Sequence, residues 1–414
     1  MKYCSRCLYP QDHPLNLIID EHGICSGCRV HEEKDSLDWS KRFIKLRKIV
    51  APYKKNNRSI YNCIIPVSGA RDSYFIVHVV KKLLGMNPLL VTYNKLYNTE
   101  VGIRNLSYLK TLFGCPLLTL TPNPKTVKKI NLVTMKKMGS MYWHCIAGQT
   151  VFPVQTAYNF KIPLIIWGAH QGIDQVGMFS HTDEVEMTRK YRKEHDLMGF
   201  EAEDLVDKNQ LTHKDLQNYL YPHDKQIEAV GVRGIYLNNY IRWDSKAQHE
   251  LMIKLYTYET EVQQRTFDTY NDVDCYHYSG VHDYIKLMKC GYGKVTDHAS
   301  REIRLKRLTR SQGIDLITKY FNDEYKDKSL FCKFMNISEK EFDQILDKHI
   351  SKKIWHKKDN IWKIKNFVGN YNSGEIYNNN ALKVSGNCKF IKDSSRGKNR
   401  YKKNYITYGR GWID

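Results

Sequence analysis

Between Cys63 and Gly168, short apolar runs alternate with amphipathic helical segments, and this alternation restricts the fold more than any other feature of the chain. "NCIIPV", "NPLLVTYN", "PLLTLTP" and "IPLIIWG" read as strands. Helices fall between them. "DSYFIVHVVKKLLG" starts near Asp72 or Ser73 and ends at Gly85, "TEVGIRNLSYLKTLFG" is capped by Thr99 and stopped by Gly114, and "VFPVQTAYNF" follows. Strand and helix at this pitch predict an α/β fold with a parallel sheet covered on both faces. In such sheets ligands sit beyond the carboxyl ends of the strands. Upstream, "LDWSKRFIKLRKIVAPY" predicts a helix. After about Asp174 the chain turns mainly helical and charged, interrupted by the strand-like "GIYLNNYIRWD". "CGYGKVTDHASREIRLKRLTR" is a glycine-marked turn into a basic helix, and "SEKEFDQILDKHI" a short helix capped by Ser338. No internal repeat is present. The expected division is a cysteine module over 1–40, the α/β domain over 41–245, a helical substrate-binding region over 246–365 and a basic tail over 366–414.

The 414 residues, 42% of them apolar, suffice for a sizeable core. No stretch is long and apolar enough for a membrane helix, and "MKYCSRCLYP" has no signal-peptide core, so the expected location is the cytoplasm. The formal charge is +21, from 65 Lys and Arg against 44 Asp and Glu. It favours anionic partners such as nucleotides, nucleotide sugars, RNA or an anionic surface. Part of it sits in the Asn- and Lys-rich tail, where Ala381 to Asp414 hold nine basic and two acidic residues. That composition reads as a solvating extension.

"CSRC" and "CSGC" supply Cys4, Cys7, Cys25 and Cys28, with seventeen residues between the pairs. Each pair presents two thiolates from a tight turn, and the spacing falls in the zinc-ribbon range, so structural Zn²⁺ is expected. "GICSG" also matches the elbow that presents a glutaminase cysteine. About twenty residues precede it, too few for the domain such an elbow needs, and the elbow is rejected. Ammonia, if used, must come from elsewhere. Cys63 and Cys115 read as core residues; Cys145, beside His144, reads as core or pocket lining rather than as a nucleophile.

Ser68-Gly69-Ala70-Arg71-Asp72-Ser73 resembles the S-G-G-x-D-S loop of the PP-loop ATP pyrophosphatases. A sharp turn off a strand into a helix N-terminus offers backbone N–H groups to pyrophosphate. Ser68 and Ser73 add hydroxyls, Arg71 adds charge, and Asp72 can hold Mg²⁺ or cap the helix. Ala70 departs from the pattern, and at negative φ its methyl costs little.

Together with "CLYP…GICSGC" and "PVSGARDS", three downstream stretches resemble the N-acetyl sugar amidotransferase family. They are "IPLIIWGAHQGIDQVGMFSHTDEVEMTRKYRKEHDLMG", "GIYLNNYIRWD" and "HDYIKLMKCGYGKVTDHASREIRLKRLTR". The resemblance covers about residues 1 to 365. It implies an enzyme of bacterial surface-polysaccharide (lipopolysaccharide O-antigen) synthesis that transfers AMP from ATP to an acetamido oxygen of a nucleotide sugar. Ammonia then displaces AMP to leave an acetamidino group. The implied partners are a separate glutaminase and a synthase-like subunit that channels ammonia. Ala169 stands where relatives usually have Glu.

The expected ATP layer is Ser68, Gly69, Ala70, Arg71, Asp72 and Ser73, with Tyr93 and Asn94 near the adenosine and Trp167 and Gly168 at the end of the fourth strand. The expected sugar-nucleotide layer is Asp174, Glu186, Arg189, Arg192, Glu194, His195, Tyr236, Asp244, Asp297, His298, Ser300, Arg301 and Arg304. Spacing puts Arg301, Arg304 and Arg307 on one helix face, with Ser300 or Asp297 as the cap that aims Arg301 at an anion. Arg189 and Arg192 share a face with Glu186, as a site or as an exposed ion-pair lattice. His195 and His298 are expected to hydrogen-bond rather than transfer protons. The rival readings are a tRNA-thiolating PP-loop enzyme and a non-catalytic scaffold. Against the first stand the absence of a further C-x-x-C after the loop and a basic charge concentrated in the tail, which weigh against a nucleic-acid substrate.

Overall fold

The apolar strands separate their side chains by the two-residue period of a pleated sheet, and the two sets define the two faces of the protein's core. The structure, a computed structural model, describes residues 2–15, 17–55, 59–207, 209–359 and 361–370. Five parallel strands form the central sheet: β1 (Cys63–Pro66), β2 (Pro88–Tyr93), β3 (Leu117–Leu120), β4 (Leu164–Trp167) and β5 (Arg233–Tyr236). Their spatial order is β3-β2-β1-β4-β5. Cys63, Ile65, Leu90, Leu164, Ile166 and Ile235 point into one core, and Ile64, Leu89, Val91 and Ile165 into the other. The order reverses between β1 and β4, which pair at Ile64 and Ile165.

Ahead of the sheet lie α1 (Ser26–Ser36) and α2 (Trp39–Lys54). The crossovers carry α3 (Arg71–His78), α4 (Glu100–Phe113), α5 (Pro124–Met138) and α6 (Trp143–Phe160). The expected stop and start signals act as read. The Thr99 side chain accepts the Gly102 N–H, Gly114 ends α4 at φ 54°, and Ser338 caps its helix through the Glu341 N–H. Four short helices, α7 (Gln171–Asp174), α8 (Arg189–Tyr191), α9 (His213–Leu216) and α10 (Asp224–Val230), lead from β4 to β5. Then follow α11 (Ser245–Tyr256), α12 (Tyr276–Cys290), α13 (Lys294–Arg304), α14 (Arg310–Phe321), α15 (Lys328–Met335) and α16 (Glu339–Asp347). A hairpin of β6 (Trp355–Lys358) and β7 (Ile361–Ile364) closes the described chain.

The segment after Ser245 is built into the α/β body: Met252, Tyr258, Tyr270 and Val273 belong to the same apolar cluster as β1 and α3. The cysteine module is also tied in. Its apolar side chains cluster with Ile173, Val176, Phe179, Tyr191 and Tyr292. The Tyr3 hydroxyl donates to the Asn366 carbonyl at 2.7 Å. The tail from Ala381 onward lies outside the described residues. Among the described residues no helix is long and apolar enough to cross a membrane.

Candidate active site

The loop after β1 folds as its residue types require. Gly69 sits at φ +82°, and a Cβ there would lie 2.6 Å from the Gly102 carbonyl oxygen and 3.1 Å from Leu106 Cβ. Only glycine fits. Ala70, by contrast, has φ −82° and ψ 170°, an extended conformation open to any residue. Its methyl stands where the loop pattern that this segment resembles has glycine, without backbone strain. The Ser68 N–H donates to Ser73 Oγ at 3.0 Å, and the Ser73 N–H donates to the Ala70 carbonyl at 3.1 Å, which closes the turn onto the first turn of α3.

Ser68, Asp72 and Ser73 open into a cavity of about 820 Å³ beyond the carboxyl ends of the strands, at the point where the strand order reverses. Trp167, Gly168, Ala169 and His170 line it after β4, with Tyr93 and Tyr236 from β2 and β5. Burial raises the Asp72 carboxyl above its ordinary value, against the pull of the adjacent Arg71. Arg71 itself lies over the Tyr270 ring at 5.6 Å and 3.3 Å from Asp72 Oδ1, off the cavity wall.

The C-terminal helices supply much of the rest of the wall. Lys286 and Lys289 of α12 and Lys294 at the start of α13 line it, with Asp283 and Asp297. Lys286 pairs with Asp297, Lys289 donates to the Met138 carbonyl at 2.6 Å, and Lys294 Nζ donates to Ser279 Oγ at 3.1 Å. The cysteine module contributes His13, stacked on Tyr292 with ring centroids 5.2 Å apart. None of these lysines, nor His13, stood out in the sequence, because "KLMKCGYGK" carries a site signal only once its helix is known to face the loop.

The expected sugar layer is distributed more widely than spacing implied. His195, Tyr236 and Asp297 line the cavity. Asn94, expected in the ATP layer near the adenosine, instead braces a turn, accepting the Leu96 N–H at 2.9 Å. Asp174 pairs with Lys34 of the cysteine module. Burial alone would raise its carboxyl, but Lys34 and His31 hold it well below the carboxylate range. Glu186 bonds Arg233, and Asp244 caps α11 and pairs with Arg307 at 2.8 Å. Arg189 and Arg192 both lie over the Tyr221 ring, at 5.0 and 5.2 Å, but differ in their polar partners and burial. Arg189 is half-exposed over Tyr221, whereas Arg192 is fully buried against Glu201 and donates to Thr150 Oγ1 at 2.7 Å. Glu194 lines a separate surface groove with Arg189, Lys190 and Lys193.

The α13 cap expectation is corrected. The helix begins at Lys294, with Gly293 at the cap position, and Asp283 accepts the Lys294 N–H across space. Asp297 is already inside its first turn, and Ser300, farther along, accepts the Leu8 N–H. The three arginines also diverge, because α13 stops at Arg304. Arg301 bonds Asp268 and the Tyr270 hydroxyl, Arg304 reaches the cysteine cluster, and Arg307 bonds Asp244 and Glu302. His298 accepts or donates to Thr266 Oγ1 at 2.7 Å, away from the cavity.

The four expected metal ligands converge. The sulfur atoms of Cys4, Cys7, Cys25 and Cys28 all lie within 4.8 Å of one another and are buried. A tetrahedral zinc with Zn–S near 2.3 Å sets its sulfurs roughly 3.8 Å apart. The Cys4–Cys28 and Cys7–Cys25 separations are 3.9 and 3.5 Å. Arg304 donates to Cys25 Sγ at 3.3 Å, as suits a cluster with net negative charge. Cys145 is core: it is buried beside His144, whose ring nitrogens contact the Tyr93 and Tyr97 hydroxyls.

No curated protein matches the chain significantly. Among solved structures the chain is similar to an NH3-dependent NAD synthetase from Campylobacter jejuni in complex with nitrate, at 14% identity and a TM-score of 0.27. The likeness covers 35% of this chain and 62% of that one, under two thirds of its length. Residues 264–368, which carry Lys286, Lys289, Lys294 and Asp297, match the family model described as "LPS biosynthesis protein WbpG-like, C-terminal domain". Residues 264–368, which wall the cavity across from the loop after β1, are thus similar to the C-terminal domain of WbpG-like lipopolysaccharide biosynthesis proteins.

Proposed function

We propose that the protein is an ATP-dependent amidotransferase that converts an acetamido group of a nucleotide-activated sugar into an acetamidino group during synthesis of a bacterial surface polysaccharide. One observation carries the reading: the pyrophosphate-type loop and the basic wall of the WbpG-like segment border a single cavity. ATP and the sugar substrate therefore have one place in which to meet.

In this reading Ser68, Gly69, Ala70 and Ser73 hold the leaving pyrophosphate, with Asp72 available to Mg²⁺. An acetamido oxygen is a poor leaving group, so it attacks the α-phosphorus and becomes AMP-bearing. Ammonia then adds to carbon and AMP departs. Water at that carbon regenerates the amide, so the walled cavity serves to exclude it. Lys286, Lys289 and Lys294 neutralise the phosphates of the sugar nucleotide. Zn²⁺ in the four-cysteine site is structural and holds His13 and Pro14 in the wall. Ammonia comes from a separate glutaminase through a synthase-like partner, and the reaction belongs in the cytoplasm. The 1–40, 41–245 and 246–365 segments act as metal module, ATP domain and sugar-binding region.

The test supplies the purified protein with ATP, Mg²⁺, ammonium and a panel of acetamido nucleotide sugars. Expected are AMP, pyrophosphate and a product lighter by about one mass unit, oxygen replaced by NH. A panel that yields neither AMP nor pyrophosphate defeats the proposal.

A further inference from the structure

His170 follows β4 by three residues and is 1% exposed. Its ring packs against Tyr191 at 4.3 Å and edge-on to Tyr236 at 4.6 Å, and it lines the cavity. Among the described residues neither ring nitrogen has a hydrogen-bond partner. A buried imidazole with both nitrogens unmatched is costly, and a ligand in the cavity removes the cost. Burial, aided by His195, lowers its pKa to about 3, so it stands neutral with one donor and one acceptor.

Asp196 lines the same cavity, one residue beyond His195. Among its charged neighbours, Arg192 is committed to Glu201. Burial raises the Asp196 carboxyl to about 7, with Arg192 opposing and Glu201 adding to the rise. A carboxylate that titrates near neutrality is matched to accepting a proton from a reacting amine.

We propose that His170 and Asp196 are catalytic residues that handle the acetamido group: the neutral imidazole hydrogen-bonds the group under attack, and the Asp196 carboxylate takes the proton shed by incoming ammonia. This rests on the reading under Proposed function. After adenylation, the ammonia lone pair forms the new C–N bond to the imidate carbon. The resulting N–H proton passes to the Asp196 carboxylate. The C–O bond then breaks with its electron pair leaving on AMP, and the amidinium remains. Of the cavity-lining residues between Trp167 and Met198, Asp196 carries the carboxyl group, while Asp72, Asp272, Asp283 and Asp297 belong to other parts of the wall.

The test separates the two half-reactions in the full-length protein with ATP, Mg²⁺ and the sugar nucleotide that the panel above identifies. Sugar-dependent exchange of pyrophosphate into ATP reads adenylation, and amidine formation reads the ammonia step. Asp196→Asn is expected to keep exchange within about threefold and to lose ammonia-dependent amidine by about 100-fold or more. Hydroxylamine, a nucleophile that sheds its proton more readily, should recover most of the loss. His170→Phe should raise the sugar KM about tenfold and His170→Gln should largely restore it. Amidine formed by Asp196→Asn at the wild-type rate, or equal loss of both half-reactions in a folded variant, overturns this inference alone. Wild-type protein that exchanges no pyrophosphate overturns it together with the reading beneath it.

Discussion

Replacing Gly69 with alanine tests whether the loop after β1 is built to a backbone geometry rather than to a composition. The φ of +82° costs an L-residue roughly 1–2 kcal/mol. The new Cβ would also meet the Gly102 carbonyl oxygen at 2.6 Å, and Gly102 cannot retreat freely because Asp274 lies against its other side. Overpacking against such a neighbour adds about 1–3 kcal/mol. The sum is about 2–5 kcal/mol, drawn from global stability or from the loop's grip on ATP. At the low end this is roughly a 30-fold rise in Kd if all of it falls on binding. Ala70→Gly is the control. Its backbone is already extended, so the cost is about 0.5–1 kcal/mol from added chain entropy, and ATP affinity should stay within about threefold. Urea unfolding and isothermal titration with ATP·Mg²⁺ on both variants read the two quantities together. A Gly69→Ala protein that unfolds at the wild-type midpoint and binds ATP normally refutes the argument. So does an Ala70→Gly protein that binds ATP tenfold more tightly, since its methyl group would then have been crowding the phosphates.

Other expectations can be checked more briefly. Cys25→Ser should abolish stoichiometric zinc by elemental analysis and lower the melting temperature, because buried Arg304 loses the negative cluster that offsets its charge. Burial alone would raise the Glu33 carboxyl, yet hydrogen bonds from His181 and Ser180 lower it to about 2. Its contribution to stability is therefore complete above the ordinary carboxylate pKa near 4.5 and fades as pH falls toward 2. Glu33→Gln should flatten an acid-unfolding curve over that window; an unchanged curve would remove Glu33 from the account. Cys290 lines the cavity, where a sulfur-transfer enzyme would need a thiol. Cys290→Ser should keep amidine formation within about threefold, whereas total loss would return tRNA thiolation to the front.

The fold was legible where local chemistry decides it. Thr99, Gly114 and Ser338 mark helix ends through their own hydrogen bonds or φ values, and the apolar strands carry their period with them. The loop was legible for the same reason. The sugar layer was not, since a charged residue at helical spacing announces a face and not what lies opposite. Asp174 meets Lys34, and Arg304 meets Cys7 and Cys25, across most of the chain. His170 had a signal that went unused: it lies just past the carboxyl end of a central strand, where ligands gather. Asp196 had none, because its raised pKa comes from burial that only the tertiary structure provides.

The contact of Arg304 with the cysteine sulfurs, the Leu8 N–H on Ser300 and the Tyr3 hydroxyl on the Asn366 carbonyl join the first residues made to α13 and to the end of the described chain. Such closure is slow to search, since nearly the whole chain must loop back before these bonds form. While the ribosome is still feeding out the polypeptide, the amino-terminal knuckle has no finished seat, and the cavity lacks a side until α13 has emerged. Deletions that remove the cysteine module or α13 therefore strike the same joint from opposite sides.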